Sequence, residues 1–289
     1  METTPLHHRG ATLREVVHKL FAHHRPDLQV APVLSEAHRF PYGPFSFRAS
    51  VPAEASYSVI ASTNLTDWLP IADGVAPSDG DISYLDSDAS KLNLRFYRVL
   101  TKDLASQNAV GFVTINLPPG FSLITNPFHN RNNTVSDLFK NWPDGTCVNK
   151  FDTMLFRLTK NTIAYHHWTQ SGETLEPGEG AMFYNPTEDY KSHSFFGELA
   201  PGHVSMPIPA GFSLRGSILP QPGHLVDDLH FPIADGDVIQ LLDRECQKLI
   251  LHPYDDGKWK NGPPIIGAGE AFWVAKKSPE NWNSDIRFD

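Results

Sequence analysis

The sequence predicts a mostly β fold, with one sandwich followed by a β-rich unit written twice. Three observations carry that expectation. Gly120-Phe121-Ser122-Leu123 recurs as Gly211-Phe212-Ser213-Leu214, 91 positions later. The same shift carries Val135, Asp137 and Leu138 onto Val226, Asp228 and Leu229, Asp144-Gly145 onto Asp235-Gly236, Trp168 onto Trp259, and Gly178-Glu179 onto Gly269-Glu270, with no gap. A fixed offset held over separate clusters is the mark of a tandem duplication. Short alternating apolar runs, bounded by turn residues, fill residues 36–105. Finally, 24 prolines, 20 glycines and 18 phenylalanines in 289 residues favour strands and turns over long helices.

Residues 1–35 depart from the β pattern and read as a helical docking segment. Thr12-Leu13-Arg14-Glu15 is a capping box, in which Thr12 accepts from a backbone N–H one turn on and Glu15 reaches back. Leu13, Val16, Val17, Leu20 and Phe21 follow at helical spacing and make one apolar face, which Pro26 ends. An amphipathic helix of about three and a half turns is not stable alone and needs a surface. That surface is either this chain's own sandwich or another protein, so the five side chains are the candidate interface. His18, His23 and His24 lie on or after the helix, but no carboxylate or cysteine completes a metal set.

Residues 36–105 carry the expected sandwich. Phe45, Phe47 and Ala49 alternate with polar positions, and so do Tyr57, Val59 and Ala61. Trp68-Leu69-Pro70-Ile71, Ile82-Ser83-Tyr84-Leu85 and the run from Arg95 to Leu100 supply further strands, with a turn cluster at Ala76-Pro77-Ser78-Asp79-Gly80. Ser62 to Trp68, Asp86-Ser87-Asp88-Ala89-Ser90 and Arg95-Phe96-Tyr97-Arg98-Val99 together resemble the fibronectin-III-like module of exported, multi-domain planctomycete and verrucomicrobial bacterial proteins. The resemblance implies that Trp68 and the Phe96-Tyr97 pair belong to a sandwich core.

Residues 111–198 and 202–289 are the two copies. Each is predicted to open with a strand, turn at a Gly into Phe-Ser-Leu, and pass through a short helix-like stretch at Val135 to Phe139 or Leu225 to Leu229. An Asp-Gly turn, a strand, a Trp-containing strand and a Gly-Glu turn follow, then a last apolar strand. These units are similar to repeats that follow such sandwich modules in the same exported proteins. The resemblance implies a structural and display role and no activity.

Side chains that could carry chemistry are few. Glu179 and Glu270 stand beside a Gly in both copies, where a carboxylate caps a turn as readily as it acts as a general acid. Ser122, Ser213 and Ser217 lie outside any nucleophile elbow, and the first two are expected on the outer face of their strands. His166-His167 becomes Gly257-Lys258 in the second copy, so the fold does not require it. Asp79, Asp81, Asp86 and Asp88 cluster as calcium ligands do, but they miss the EF-hand spacing. Cys147 and Cys246 are not equivalent under the shift and are expected as free thiols, both buried. Trp168 and Trp259, being shared, are expected in the cores; Trp142, Trp273 and Trp282 are copy-specific and are the candidate ligand-stacking residues.

Net charge of −9 disfavours nucleic acid and anionic membrane as partners, and no apolar run is long enough for a membrane-spanning helix. The stretch from Met1 to Arg14 has no apolar signal-peptide core, so an extracellular or cell-surface site would need another route, and cytoplasmic assembly is the alternative. No cofactor fingerprint, metal set or catalytic constellation is present. The reading is a non-enzymatic structural or adhesive protein that works by protein–protein assembly or surface display through the N-terminal helix. The alternative is a carbohydrate-binding accessory module of a polysaccharide-degrading system.

Overall fold

The computed structural model describes residues 30–40, 43–102 and 104–288. The helix expected at 12–25, with its Leu13, Val16, Val17, Leu20 and Phe21 face, lies outside them. Strands dominate what is described. The first six are β1 (Val33–Arg39), β2 (Phe45–Ser50), β3 (Ser56–Ser62), β4 (Leu69–Val75), β5 (Asp81–Asp86) and β6 (Leu94–Thr101). The first copy contributes β7 (Ala109–Leu117), β8 (Gly120–Ile124), α1 (Val135–Leu138), β9 (Cys147–Asp152), β10 (Arg157–Ala164), β11 (His167–Trp168), β12 (Ala181–Asn185) and β13 (Lys191–Leu199). The second contributes β14 (Gly202–Ile208), β15 (Gly211–Gly216), β16 (Gly223–His224), β17 (Val238–Asp243), β18 (Lys248–Asp255), β19 (Lys258–Trp259), β20 (Ile265–Ile266), β21 (Ala271–Lys276) and β22 (Glu280–Ile286).

A three-stranded sheet, β1-β2-β5, faces a five-stranded sheet, β13-β7-β6-β3-β4. Phe45, Phe47, Val59, Tyr97, Val99 and Phe112 fill the space between them. Strands β7 and β13, which the 91-residue shift assigns to the first copy, are therefore part of the sandwich sheet. The other face of that sheet is also covered: Phe96, Val113, Ile115 and Phe195 pack on Phe128, Phe139 and Phe183 of the first copy. Burial on both faces explains why Ala109 to Val113 is apolar without alternation.

The two copies build the same sheet. Strand order is β11-β10-β9-β12-β8 in one and β19-β18-β17-β21-β15 in the other. The register also repeats, with Asn185 opposite Gly120 and Lys276 opposite Gly211. The offset changes only in the closing strand. Leu117 faces Lys191, whereas Ile208 faces Glu280, so the shift there is 89 and the turn before β22 is two residues shorter. The ungapped alignment expected from sequence fails at that turn.

A pseudo-two-fold seam joins the copies. Thr125 N–H donates to Gly269 O at 3.0 Å, and its counterpart Gly216 N–H donates to Gly178 O at 3.1 Å. Bridges pair Ile124 with Glu270 and Arg215 with Glu179. Leu123, Leu214 and Ala271 form a small core there, with Phe151, Met182, Leu242 and Trp273 against it. Gly178 and Gly269 hold positive φ of 87° and 77°, where glycine alone is unstrained.

Two expectations about orientation are corrected. Ser122 and Ser213 are fully buried, not outward; the strand's outer face carries Phe121 and Phe212 instead. Phe121 stays there because its ring lies 4.9 Å from that of Tyr184, its cross-strand neighbour. Cys147 and Cys246 are both free, but Cys246 is exposed on the β17–β18 turn. Among the described residues, no helix is long and apolar enough to cross a membrane.

Candidate functional site

A groove of about 1110 Å³ runs between the sandwich and the first copy. One wall is β1 with His38, followed by Phe40, and the other is the α1 region ending at Trp142. Strand β13 forms the floor with Lys191, His193 and Phe196. Thr134 starts α1 as an N-cap, its hydroxyl accepting from Asp137 N–H at 3.3 Å, and this short turn carries the chain round to Trp142.

Trp142 donates from Nε1 to His193 Nδ1 at 3.2 Å. An indole nitrogen only donates, so His193 Nδ1 accepts and the ring's hydrogen lies on Nε2. His193 is stacked on Phe139 at 4.5 Å, and burial pushes its pKa down to about 3. Its Nε2 is buried without a partner. His38 is also held below the ordinary histidine range, by burial first and by the positive charge of Lys140 second. The groove carries both signs of charge: Arg39, Arg131, Lys140 and Lys191 line it together with Glu36, Asp137 and Glu198. Among the described residues, Lys140, Lys191 and Arg131 make no ion pair, while Glu36 pairs with Arg48 at 3.4 Å, Asp137 accepts from the Thr134 hydroxyl at 2.8 Å and Glu198 accepts from Asn108 at 3.2 Å. Lys191 Nζ stands 5.8 Å from the Trp142 ring centre.

The other two candidate stacking residues are elsewhere. Trp273 sits in the seam between the copies, edge-on to Phe151 at 5.0 Å. Trp282 is 0% exposed in the second copy's core, against Phe231 at 5.0 Å, with Nε1 donating to Leu229 O at 2.7 Å. It cannot stack on a ligand, and the expectation is corrected. The shared tryptophans Trp168 and Trp259 are partly buried against their cores.

The carboxylates that both copies keep are committed to structure. Glu179 Oε2 accepts from Glu176 N–H at 2.9 Å and from Lys150 Nζ at 2.7 Å. Glu270 Oε2 accepts from Gly267 N–H at 2.8 Å, and its other oxygen pairs with Arg244 at 2.9 Å. Each caps its own turn. Asp144 and Asp235 do the same job twice, accepting from His166 N–H at 2.8 Å and Gly257 N–H at 2.9 Å. Asp86 is buried and accepts from Arg95 at 2.9 Å and Tyr97 at 2.7 Å; burial first, and the bond to Asp86 second, push the Tyr97 pKa up. Among the described residues, no three His, Cys, Asp or Glu side chains converge as metal ligands.

A second surface feature escaped sequence reasoning. The β9–β10 turn presents Met154, Leu155 and Phe156 at 93%, 60% and 65% exposure. The second copy has Glu245, Cys246 and Gln247 there, and Gln247 folds back to bond both the N–H and the carbonyl of Phe121. Phe156 leans on Phe212 at 5.9 Å, leaving Met154 and Leu155 projecting. The signal was available in the sequence as an apolar triplet in a turn.

No family model matches the chain, and no curated protein matches it. Among solved structures it is similar to one described as "Crystal structure of tetra-tandem repeat in extending region of large adhesion protein", with 10% identity, coverage of 89% of this chain and 74% of that chain, and a TM-score of 0.22.

Proposed function

We propose that this chain is a non-enzymatic structural or adhesive protein that acts by contact with other proteins. The observation that carries the reading is the turn of Met154, Leu155 and Phe156, an apolar tip exposed on a β scaffold. Exposed apolar clusters of this kind mark contact sites. Supporting it, the carboxylates that both copies keep, Glu179 and Glu270, are used up as turn caps. The domain division in this reading is a docking segment at 1–35, a fibronectin-III-like sandwich at 36–105 and copies at 111–198 and 202–289. The sheet orders β1-β2-β5 and β7-β6-β3-β4 favour that sandwich type. The apolar face of Leu13, Val16, Val17, Leu20 and Phe21 is a second contact element, by sequence, for a partner or for self-assembly at a cell surface or outside the cell. The test is light scattering and partner capture with Met154→Asp and Leu155→Lys together. Association equal to the parent's would defeat the tip as the contact site.

A second reading has its own observation. Trp142 shares its groove with Lys140, Lys191 and Arg131, and a ring with amino and guanidinium groups near it suits an acidic polysaccharide, although Glu36, Asp137 and Glu198 also line the groove. Affinity electrophoresis in gels containing alginate, with cellulose as the neutral control, tests it. Retardation by alginate that Lys140→Glu abolishes would support this reading.

A further inference from the structure

The second copy encloses a charged triad that the first copy lacks. Lys276 ends β21, Asp237 leads into β17 and Glu280 opens β22. The Lys276 side chain is 1% exposed and that of Asp237 is 0%. Lys276 Nζ lies 2.5 Å from Asp237 Oδ2 and 3.0 Å from the Pro232 carbonyl oxygen, and it also bonds Glu280 Oε2. The Phe231 ring centre is 5.9 Å from Nζ, with Phe272 and Trp282 packed behind it.

Asp237 is fixed in place. Its Oδ2 accepts from Ala234 N–H and its Oδ1 from Lys277 N–H, each at 2.8 Å. The carboxyl is thus held facing the amine. The scaffold does not require either charge. The equivalent residues of the first copy are Asn185 and Thr146, and Asn185 Nδ2 closes the same place by donating to the Leu117 and Asp189 carbonyls at 3.1 and 2.9 Å. Burying an ion pair where a neutral side chain suffices gives little or no stability. An amine and a carboxyl pressed together in a dry pocket, beside a further carboxylate, are instead the parts of an amide-forming reaction.

We propose that Lys276 and Asp237 join in an intramolecular isopeptide bond, with Glu280 as the catalytic proton carrier. The ammonium passes one proton to the Asp237 carboxylate across their contact, leaving a neutral amine beside a neutral acid. The Nζ lone pair attacks Cγ and forms the N–C bond. Glu280, which touches Nζ, takes a second proton from the nitrogen and delivers it to the departing hydroxyl. The C–O bond breaks, the carbonyl re-forms and one water leaves. In sum –NH3⁺ and –COO⁻ become –NH–CO– and water, with nothing oxidised or reduced and Glu280 restored. Fixed proximity supplies the effective concentration of reactants, and the aromatic wall excludes bulk water. The Glu280 side chain is 40% exposed and so connects the buried pair to solvent.

Intact mass spectrometry of the folded full-length chain, followed by peptide sequencing, tests this. The expected mass is lower than the sequence mass by one water, with a branched fragment linking the peptides of Asp237 and Lys276. Glu280→Gln, shown to fold by circular dichroism, is expected to cross-link at least about tenfold more slowly. The full sequence mass after days at neutral pH would overturn the proposal. So would loss of water without the branched fragment, as in succinimide formation, or the same loss in Lys276→Arg. Cross-linking of Glu280→Gln at the parental rate would overturn the role of Glu280.

Discussion

His193 and Trp282 are structural counterparts, although 89 rather than 91 positions separate them. Each is the third residue of its closing strand, and they face the equivalent residues Ile115 and Met206. Each plugs an aromatic core, His193 against Phe139 and Trp282 against Phe231. One half is therefore closed by a titratable ring and the other by an inert one.

Acid is expected to act on the first half through that ring. The unfolded chain binds a proton at His193 near its ordinary value of 6.5, whereas the folded chain does so only near 3. The unfolded state holds more protons between those values, so stability is full above about pH 6.5 and falls as pH drops toward about 3. The loss is on the order of a few kcal/mol over the whole window. Urea midpoints measured from about pH 7 to about pH 4 should decline, and should decline less in His193→Phe. Equal slopes would exclude His193 as the source.

The seam between the copies should resist a single methyl group. A Cβ on Gly216 would run into the Thr125 side chain, whereas one on Gly172 would meet nothing within 4 Å. Gly216→Ala is expected to cost about 1–3 kcal/mol through overpacking. Gly172→Ala serves as the control and should be near neutral in the same denaturation experiment.

The turn carboxylates should matter for stability. Glu179→Gln weakens the bond to Glu176 N–H and removes the ion partner of Lys150. Glu270→Gln does the same to Gly267 N–H and Arg244. Each is expected to cost about 1–2 kcal/mol in chemical denaturation. Unchanged midpoints in both would show that these caps are dispensable.

Two tryptophans should separate stability from binding. Trp282→Ala empties a filled core site and is expected to cost about 3–5 kcal/mol. Trp142 is only partly buried, so Trp142→Ala should cost less while reducing retardation by alginate. Thermal melts and affinity electrophoresis on both variants give the comparison.

Much of the fold was legible because turns and register leave marks in sequence. Under one shift, β9, β10 and β11 map onto β17, β18 and β19 residue for residue. What was not legible has physical causes. Trp282 aligned with Lys191 and looked specific to the second copy, because the shortened turn before β22 hid its match to His193. Ser122 looked outward because a serine between Phe and Leu fits either face, and only the Phe121–Tyr184 contact decides. Strand β7 gave no sign of joining the sandwich, since an apolar run does not say which two layers cover it. Trp142 could be named as a candidate, but its groove depends on β1 and β13, which are remote in sequence.

Strand β13 pairs with β7 along its whole length, from Leu199 opposite Ala109 to Lys191 opposite Leu117. The sandwich sheet thus receives an outer strand that the ribosome makes only after most of the first copy. At ordinary rates of translation the wait is on the order of ten seconds. Throughout it, the backbone edge of β7 lacks its neighbour and can pair with another nascent chain. Synthesis, more than the finished protein, is when this molecule is open to misassembly, and slower decoding between β7 and β13 would lengthen the exposure.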